Sequence, residues 1–151
     1  MDARSSYREA AVLGASPLAL VICLYEQIIE DLRRALAAQA RGSIEGRTRS
    51  INHAVLVLAH LQSSLDKDQG GKVAVNLERF YNQVRIGLVG AQLQQSAAAI
   101  ETQISHLMLV HDAWCEVERR IAAPAIASGS APLREEPDHS SQSRASSDWS
   151  A

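Results

Sequence analysis

Apolar residues recur every three or four positions in four separate stretches of the chain, with polar residues between them. The first stretch runs from Leu18 to Leu36. Ser16 and Pro17 precede it, and this pair is typical of a helix start, because serine caps free backbone N–H groups and proline fits the first helical position. The spacing therefore predicts an amphipathic helix over residues 17–40.

The first predicted helix has more apolar surface than a single packing face would use. Its core-facing stripe passes through Leu18 and Tyr25 and leaves Leu20 and Leu24 off its centre. In a small protein, leftover apolar surface is either covered by a further element or used as a binding site. We therefore treat Leu20 and Leu24 as candidate partner-binding residues.

The later stretches predict three more helices. Gly42-Ser43 separates the first helix from the second, and Gly70-Gly71 is expected to be a turn between the second and the third. Ser96 can cap the fourth helix, and Pro124 is expected to end it, because proline lacks the N–H that a helix needs. These three helices are predicted over residues 44–66, 72–94 and 97–122.

Short links between the helices set the predicted architecture. A link of a few residues can only return the chain beside itself, so consecutive helices are antiparallel. The sequence thus predicts an all-α fold, an antiparallel up-down four-helix bundle with a short N-terminal lead, in a domain of residues 1–123. Residues 124–151 are rich in Ser and Pro and poor in apolar residues, which predicts a disordered tail.

Composition narrows the class of protein. The chain has 151 residues, 46% of them hydrophobic and only 4% aromatic, which fits one domain with an aliphatic core. A net charge of −2 gives no basic field for a phosphate backbone, so we expect no nucleic-acid partner. The absence of a basic-then-apolar leader and of an apolar run of ~20 residues predicts no membrane insertion and a cytoplasmic location.

Candidate catalytic and metal-binding chemistry is sparse. His53 and His60 are seven residues apart and His106 and His111 are five apart, which is not the ligand spacing of a helical metal site. The Glu-x-x-His motifs of di-iron bundles are also missing. Cysteines occur only within apolar helical patterns, where buried, reduced thiols are expected. We therefore expect no enzyme activity, no catalytic residue, no metal and no cofactor.

Four groups of short motifs, in order along the chain, carry a resemblance to a known family. Between about residues 5 and 121 the chain resembles the flagellar secretion chaperones of the FliS type. The motifs are Tyr7 in the lead, Ala15-Ser16-Pro17-Leu18 with Leu24-Tyr25-Glu26, Ser63-Ser64-Leu65-Asp66 with Gly70-Gly71 and Asn76-Leu77, and Asp112-Ala113-Trp114.

The resemblance implies a function and a set of partners. The members of the FliS family are small cytoplasmic bundles that bind the C-terminal segment of flagellin in hydrophobic grooves. They prevent premature polymerisation and deliver flagellin to the flagellar type III export apparatus. It implies no catalysis. The export gate is a second partner to consider, and an uncovered groove allows a homodimer when no partner is bound.

The resemblance also assigns roles to particular residues. Tyr7 is expected to act as a lid residue over the groove. Leu18 and Leu77 also lie on core stripes, so simple packing is the competing interpretation for them. The residues expected to form or support the groove are Leu18, Tyr25, Asn76, Leu77 and Tyr81.

Three other functions remain open at this point. The same architecture would suit a helical adaptor for a different secreted or regulatory partner. A metal or cofactor bundle acting as an oxidoreductase belongs to a different class, and so does a structural protein that self-associates through its uncovered groove. Metal analysis, pull-down and light scattering would separate these alternatives.

Overall fold

The computed structural model describes the backbone of residues 16–129 and the side chains as far as Ala122. Over this range the chain forms α-helices joined by short links, which confirms the all-α prediction and the four-helix bundle. The helices are α1 (Pro17–Ala40), α2 (Ile44–Ser63), α3 (Lys67–Gln94) and α4 (Ala97–Gly129).

Side-chain caps begin the helices at or near the predicted positions. Ser16 Oγ accepts a hydrogen bond of 3.1 Å from the Ala19 N–H at the start of α1. Ser43 and Ser96 cap α2 and α4 in the same way. Each hydroxyl satisfies one of the N–H groups that the first turn of a helix leaves without an internal partner.

Hydrogen bonds between neighbouring helices establish their antiparallel order. Arg85 on α3 donates to Gln62 near the end of α2, at 2.7 Å, whereas Gln92 donates to Asn52 near the middle of α2. Residue numbers on α3 therefore rise as those on α2 fall. Antiparallel contacts of the other neighbours include Asp31 with His53 between α1 and α2, and Glu26 with His111 between α1 and α4.

Helices α1 and α3 lie diagonally across the bundle and run parallel. The Tyr25 hydroxyl donates to the Tyr81 hydroxyl, and Gln39 Nε2 donates to the backbone carbonyl of Gln95. Both pairs are separated by 56 residues, so the two helices keep one register over about four turns. An up-down bundle requires such a parallel diagonal pair.

The core between the helices is almost entirely aliphatic. Close packing of these side chains removes apolar surface from water, which is the main driving force for folding. Fully buried residues with large side chains are Tyr25, Ile28, Leu32, Ile51, Leu58, Leu61, Tyr81, Val84, Leu88, Ile100 and Leu107.

The link between α2 and α3 differs from the prediction. We expected α2 to end at residue 66 and α3 to begin at residue 72, but α2 ends at Ser63 and α3 begins at Lys67. The reason is that Asp66 caps one extra helical turn before the glycine pair. Gly71 then interrupts the helix with φ 54° and ψ −129°, a conformation that only glycine adopts readily.

The predicted end of the last helix at Pro124 is also wrong, because the backbone of α4 continues as helix to Gly129. A proline removes one hydrogen bond and kinks a helix, but it need not end it. Ala122, Ala123 and Ala125 surround Pro124, and alanine has the highest helix propensity. The first six residues of the predicted disordered tail are therefore helical.

The described residues up to Arg120 form one compact unit, and a second unit begins at Ile121. The N-terminal lead with Tyr7, and the predicted tail beyond Gly129, lie outside the described residues. The domain boundary at residue 123 remains a prediction. No helix within residues 16–129 is both long and apolar enough to cross a membrane.

Candidate functional site

An open apolar cleft lies where α2 ends and α3 begins. Its volume is about 330 Å³. Residues from all four helices and from the α2–α3 link line it, so the cleft exists only in the assembled bundle. The lining residues are Val21, Leu61, Ser64, Leu65, Asp66, Gln69, Gly70, Val73, Ala74, Leu77, Tyr81 and Trp114.

Two buried tyrosines form and support the floor of the apolar cleft. Tyr81 lines it, and Tyr25 lies beneath, with a hydroxyl–hydroxyl distance of 2.9 Å and ring centroids 6.2 Å apart. Burial raises the pKa of Tyr25, although its hydrogen bond with Tyr81 opposes this. Burial, followed by the neighbouring Tyr25 hydroxyl, raises the pKa of Tyr81 far more. Both hydroxyls therefore remain neutral at physiological pH.

Trp114 closes the side of the apolar cleft that belongs to α4. Its side chain is partly buried and packs against the core. The indole N–H lies near enough to the Tyr25 hydroxyl to lower the pKa of that group, but it does not meet hydrogen-bond geometry and has no other partner among the described residues. Tryptophan thus contributes a large apolar face here, together with a buried donor whose bonding is incomplete.

Two polar side chains at the rim of the apolar cleft, those of Asp66 and Ser64, are already hydrogen-bonded within the chain. Asp66 Oδ1 accepts hydrogen bonds of 3.1 Å from the N–H groups of Asp68 and Gln69. The Ser64 hydroxyl donates to the Leu61 carbonyl at 2.8 Å. These bonds leave the hydrocarbon walls as the dominant chemistry, so the cleft is suited to burying an apolar side chain rather than to catalysis.

The structure brings together only some of the predicted site residues. Leu77 and Tyr81 line the apolar cleft and Tyr25 supports it. Leu18 is partly buried, Leu20 is 37% exposed, and Asn76 is exposed beside Leu77. None of these three lines the cleft.

Leu24 is less available than its position off the core stripe suggested. It is partly buried and packs against the core cluster. Leu24 lies two helical turns before Asp31, which contacts His53 on α2, so both residues are on the side of α1 that α2 covers. The spacing of apolar residues within one helix could not predict that a neighbouring helix buries Leu24.

Several lining residues were not among the predicted set. Val21 and Leu61 follow the helical spacing of core residues. This spacing is the same for a residue in the closed core and for one at the open end of a bundle. Trp114 belonged to the Asp-Ala-Trp motif, and that motif was the available signal for it. Val73 is 61% exposed, and its place just after Gly70-Gly71 was the other signal.

A second polar cluster joins α1 to α4, outside the apolar cleft. His111 lies 3.0 Å from Glu26 and 3.1 Å from Asp112, measured from its two ring nitrogens. Burial lowers the pKa of His111, but the hydrogen bonds and charges of the two carboxylates outweigh burial and raise it overall. The imidazolium form is therefore stabilised, as expected for an interhelical ion pair.

Cys115 lies beside His111, but the pair does not resemble a cysteine nucleophile. Its Sγ is 3.8 Å from His111 Nε2. Burial, together with the negative charges of Glu26, Glu118 and Asp112, raises the pKa of the Cys115 thiol. A nucleophilic cysteine needs a lowered pKa, and the pKa of Cys115 is shifted in the opposite direction. Within the described part of the chain, no three His, Cys, Asp or Glu side chains group as a metal site would require.

The fold and the apolar cleft together define a helical binding protein. The chain belongs to the FliS family: the sequence model described as "Flagellar protein FliS" matches residues 1–121. FliS is a family of chaperones and not of enzymes, which confirms both the resemblance and the expectation that the chain is not an enzyme.

Three relatives of known name agree with this assignment. The flagellar secretion chaperone FliS of Salmonella typhimurium is 29% identical over 110 residues, covering 72% of this chain and 82% of the relative. The flagellar secretion chaperone FliSB of Pseudomonas aeruginosa is 29% identical over 106 residues, covering 70% and 84%. The Escherichia coli FliS is 28% identical over 109 residues, covering 72% and 80%.

Proposed function

We propose that this chain binds the C-terminal segment of flagellin in the cytoplasm, prevents its premature polymerisation, and delivers it to the flagellar type III export apparatus. The apolar cleft is the observation that carries the proposal. Its walls are hydrocarbon, and it opens to solvent between the ends of the helices. Membership of a family of flagellar secretion chaperones supports flagellin as the protein that fills it.

The physical basis of this binding is the burial of apolar surface. Each Å² of apolar surface removed from water contributes about 25 cal/mol, so aliphatic side chains that enter the cleft supply the main favourable contribution to the free energy of binding. The Ser64 and Asp66 side chains at the rim are hydrogen-bonded within the chain and do not have to exchange partners on binding. Binding of this kind has a negative heat-capacity change.

The predicted site residues take different places in this proposal. Leu77 and Tyr81 contact the flagellin segment directly, and Tyr25 holds Tyr81 in position. Leu18, Leu20, Leu24 and Asn76 are proposed to contact parts of the segment that leave the cleft. Tyr7 remains the proposed lid residue.

Two further partners belong to the same proposal. The export gate receives the complex, and a second copy of the chain is expected to cover the apolar cleft when flagellin is absent. Light scattering checks the second point. A homodimer that forms through the cleft dissociates when the flagellin segment is added, whereas one that forms elsewhere does not.

Calorimetric titration with the last ~40 to 50 residues of flagellin tests the main proposal, because a partly helical segment of that length spans the bundle. We expect micromolar or tighter binding with a negative heat-capacity change. Val73→Asp should weaken binding by at least about tenfold, since it places a charge in the cleft wall.

Leu109→Asp is the matched control, because Leu109 is 70% exposed on α4 and does not line the cleft. It should bind like the native chain. Folded native protein that fails to bind the segment would overturn the proposal. Binding of a different secreted protein instead would favour the adaptor function.

A further inference from the structure

A single helical turn stands before the main part of α3, and we call Asp66–Gly70 the entrance turn. Its hydrogen bonds close within itself: Gly70 N–H donates to the Asp66 carbonyl at 2.8 Å, and Asp66 Oδ1 caps the turn. Gly71 follows with φ 54° and ψ −129°. The entrance turn is therefore a separate structural piece, attached to the body of α3 through one non-helical residue.

The entrance turn forms part of the wall of the apolar cleft. Asp66, Gln69 and Gly70 line the cleft on the N-terminal side of Gly71, and Val73 lines it on the C-terminal side. Every residue from 66 to 73 is exposed, and Ala74 is the first buried residue of α3. A segment with so little buried surface has low local stability and moves more readily than the core.

One ion pair ties the entrance turn to the body of the helix. Lys67 Nζ lies 2.9 Å from Glu78 Oε2, and the two residues stand on opposite sides of Gly71. The two side chains are 55% and 31% exposed. The pair therefore crosses the hinge and resists any movement of the entrance turn away from α3.

We propose that the entrance turn is a hinged lid of the apolar cleft, which rotates about Gly71 and is held closed by the Lys67–Glu78 ion pair. Opening widens the cleft and admits the apolar segment of the partner. The inference rests on the proposed function only for the identity of that partner. The movement itself belongs to this chain and can be measured without any partner.

Quenching of Trp114 fluorescence by acrylamide measures the movement. The chain has two tryptophans, so Trp149→Phe leaves Trp114 in the cleft as the single tryptophan, which is excited at wavelengths that tyrosine does not absorb. In this background, Lys67→Ala and Glu78→Ala should each raise the quenching constant by roughly two- to fivefold, the range expected for loss of an exposed ion pair. The charge-reversed double variant, Lys67→Glu with Glu78→Lys, should return to the parent value.

Lys72→Ala is the matched control for the loss of a lysine. Lys72 is the residue after the hinge, does not line the cleft, and makes no ion pair with any described residue. Its quenching constant should equal that of the parent. Circular dichroism should show equal helix content in all variants.

Gly70→Ala opens the lid by a different physical route. A Cβ on Gly70 would lie 2.8 Å from the Cβ of Ala74, too close for two carbon atoms, so the entrance turn must move away from the body of α3. Its quenching constant should rise even though the ion pair is intact. Parent-like quenching in Lys67→Ala, Glu78→Ala and Gly70→Ala would overturn the lid.

Association kinetics with the C-terminal segment of flagellin connect the lid to binding. Lys67→Ala and Glu78→Ala should raise the association rate constant by the same factor as the quenching constant, and Lys72→Ala should not. Increased quenching without any binding would support the lid and contradict flagellin as the partner. Normal binding with unchanged quenching would support the partner and contradict the lid.

Discussion

Tyr25 and Tyr81 join the two diagonal helices of the bundle through a hydrogen bond of 2.9 Å between their hydroxyls. Both side chains are buried, and Tyr81 also forms the floor of the apolar cleft. The contact fixes the register of α1 against α3 at the depth where the proposed partner side chains end. Stability of the fold and shape of the cleft therefore depend on the same pair.

The losses of stability caused by removing the two hydroxyls should not be additive. Tyr25→Phe or Tyr81→Phe leaves a buried hydroxyl with an incomplete set of partners, which lowers the free energy of unfolding by about 1–3 kcal/mol. The double variant replaces both polar groups with hydrocarbon and should lose less than the sum of the two. Urea denaturation of the native chain, the two single variants and the double variant gives the coupling free energy between the two hydroxyls as a double-mutant cycle. Strictly additive losses of stability would contradict this coupling.

Alkaline pH should destabilise the bundle through the same pair. Folding raises the pKa of both tyrosines, chiefly by burial, so the folded state favours their neutral forms. This contribution is complete below the unfolded pKa of about 10 and declines as the pH rises above it. Urea midpoints between pH 8.5 and 11 should fall more steeply for the native chain than for the Tyr25→Phe/Tyr81→Phe variant. If the urea midpoints of the two proteins fell in parallel, groups other than Tyr25 and Tyr81 would account for the loss of stability at alkaline pH.

The His111 cluster should stabilise the fold at mildly acidic pH. Folding raises the pKa of His111, because its carboxylate partners outweigh burial, so the stabilisation is complete below about pH 6.5 and is lost as the pH rises through the folded pKa. The stability difference between the native chain and His111→Gln should shrink from pH 6 to pH 8.5. Chemical denaturation at these two values measures it, and a constant difference would exclude the ion pair as the cause.

Asp31 should be the most sensitive carboxylate on α1. It is 2% exposed, accepts a hydrogen bond of 2.9 Å from Gln27, and lies 2.6 Å from His53 on α2. Asp31→Ala should lower the free energy of unfolding by about 1–3 kcal/mol, because it removes the acceptor that joins the helices. Glu45→Ala, at an exposed i,i+4 pair with Arg49, is the control and should melt like the native chain.

The four helices could be predicted because their apolar spacing and serine caps are local signals. Helix α1 begins at Pro17 and ends at Ala40, as predicted, since Pro17 and Gly42 mark its limits within the sequence. The extra turn before Gly71 could not be predicted in the same way. It depends on the Asp66 side chain bonding to the backbone, in competition with the glycine pair that favours a simple link.

The cleft was harder to predict than the helices. Leu77 was found because it belongs to a motif shared with the family, and Tyr81 because the resemblance assigns it to the groove. Val21 and Trp114, in contrast, come from helices far apart in the sequence. Whether such residues lie in the core or at an open end depends on how far each helix extends past its neighbours. Spacing along a single helix does not contain that information.

The aromatic residues of the described bundle are concentrated at one place. Phe80 lies with its ring centroid 5.9 Å from that of Tyr81, and Tyr25 and Trp114 complete the group around the cleft floor. The other residues of the described bundle include no Phe, Trp or Tyr and therefore give no aromatic signal in the near ultraviolet. The near-ultraviolet circular dichroism of the bundle therefore reports the packing of the cleft, whereas the far-ultraviolet signal reports the helices. A loss of the near-ultraviolet signal with retention of the far-ultraviolet signal would mark a change confined to the end of the bundle that contains the cleft.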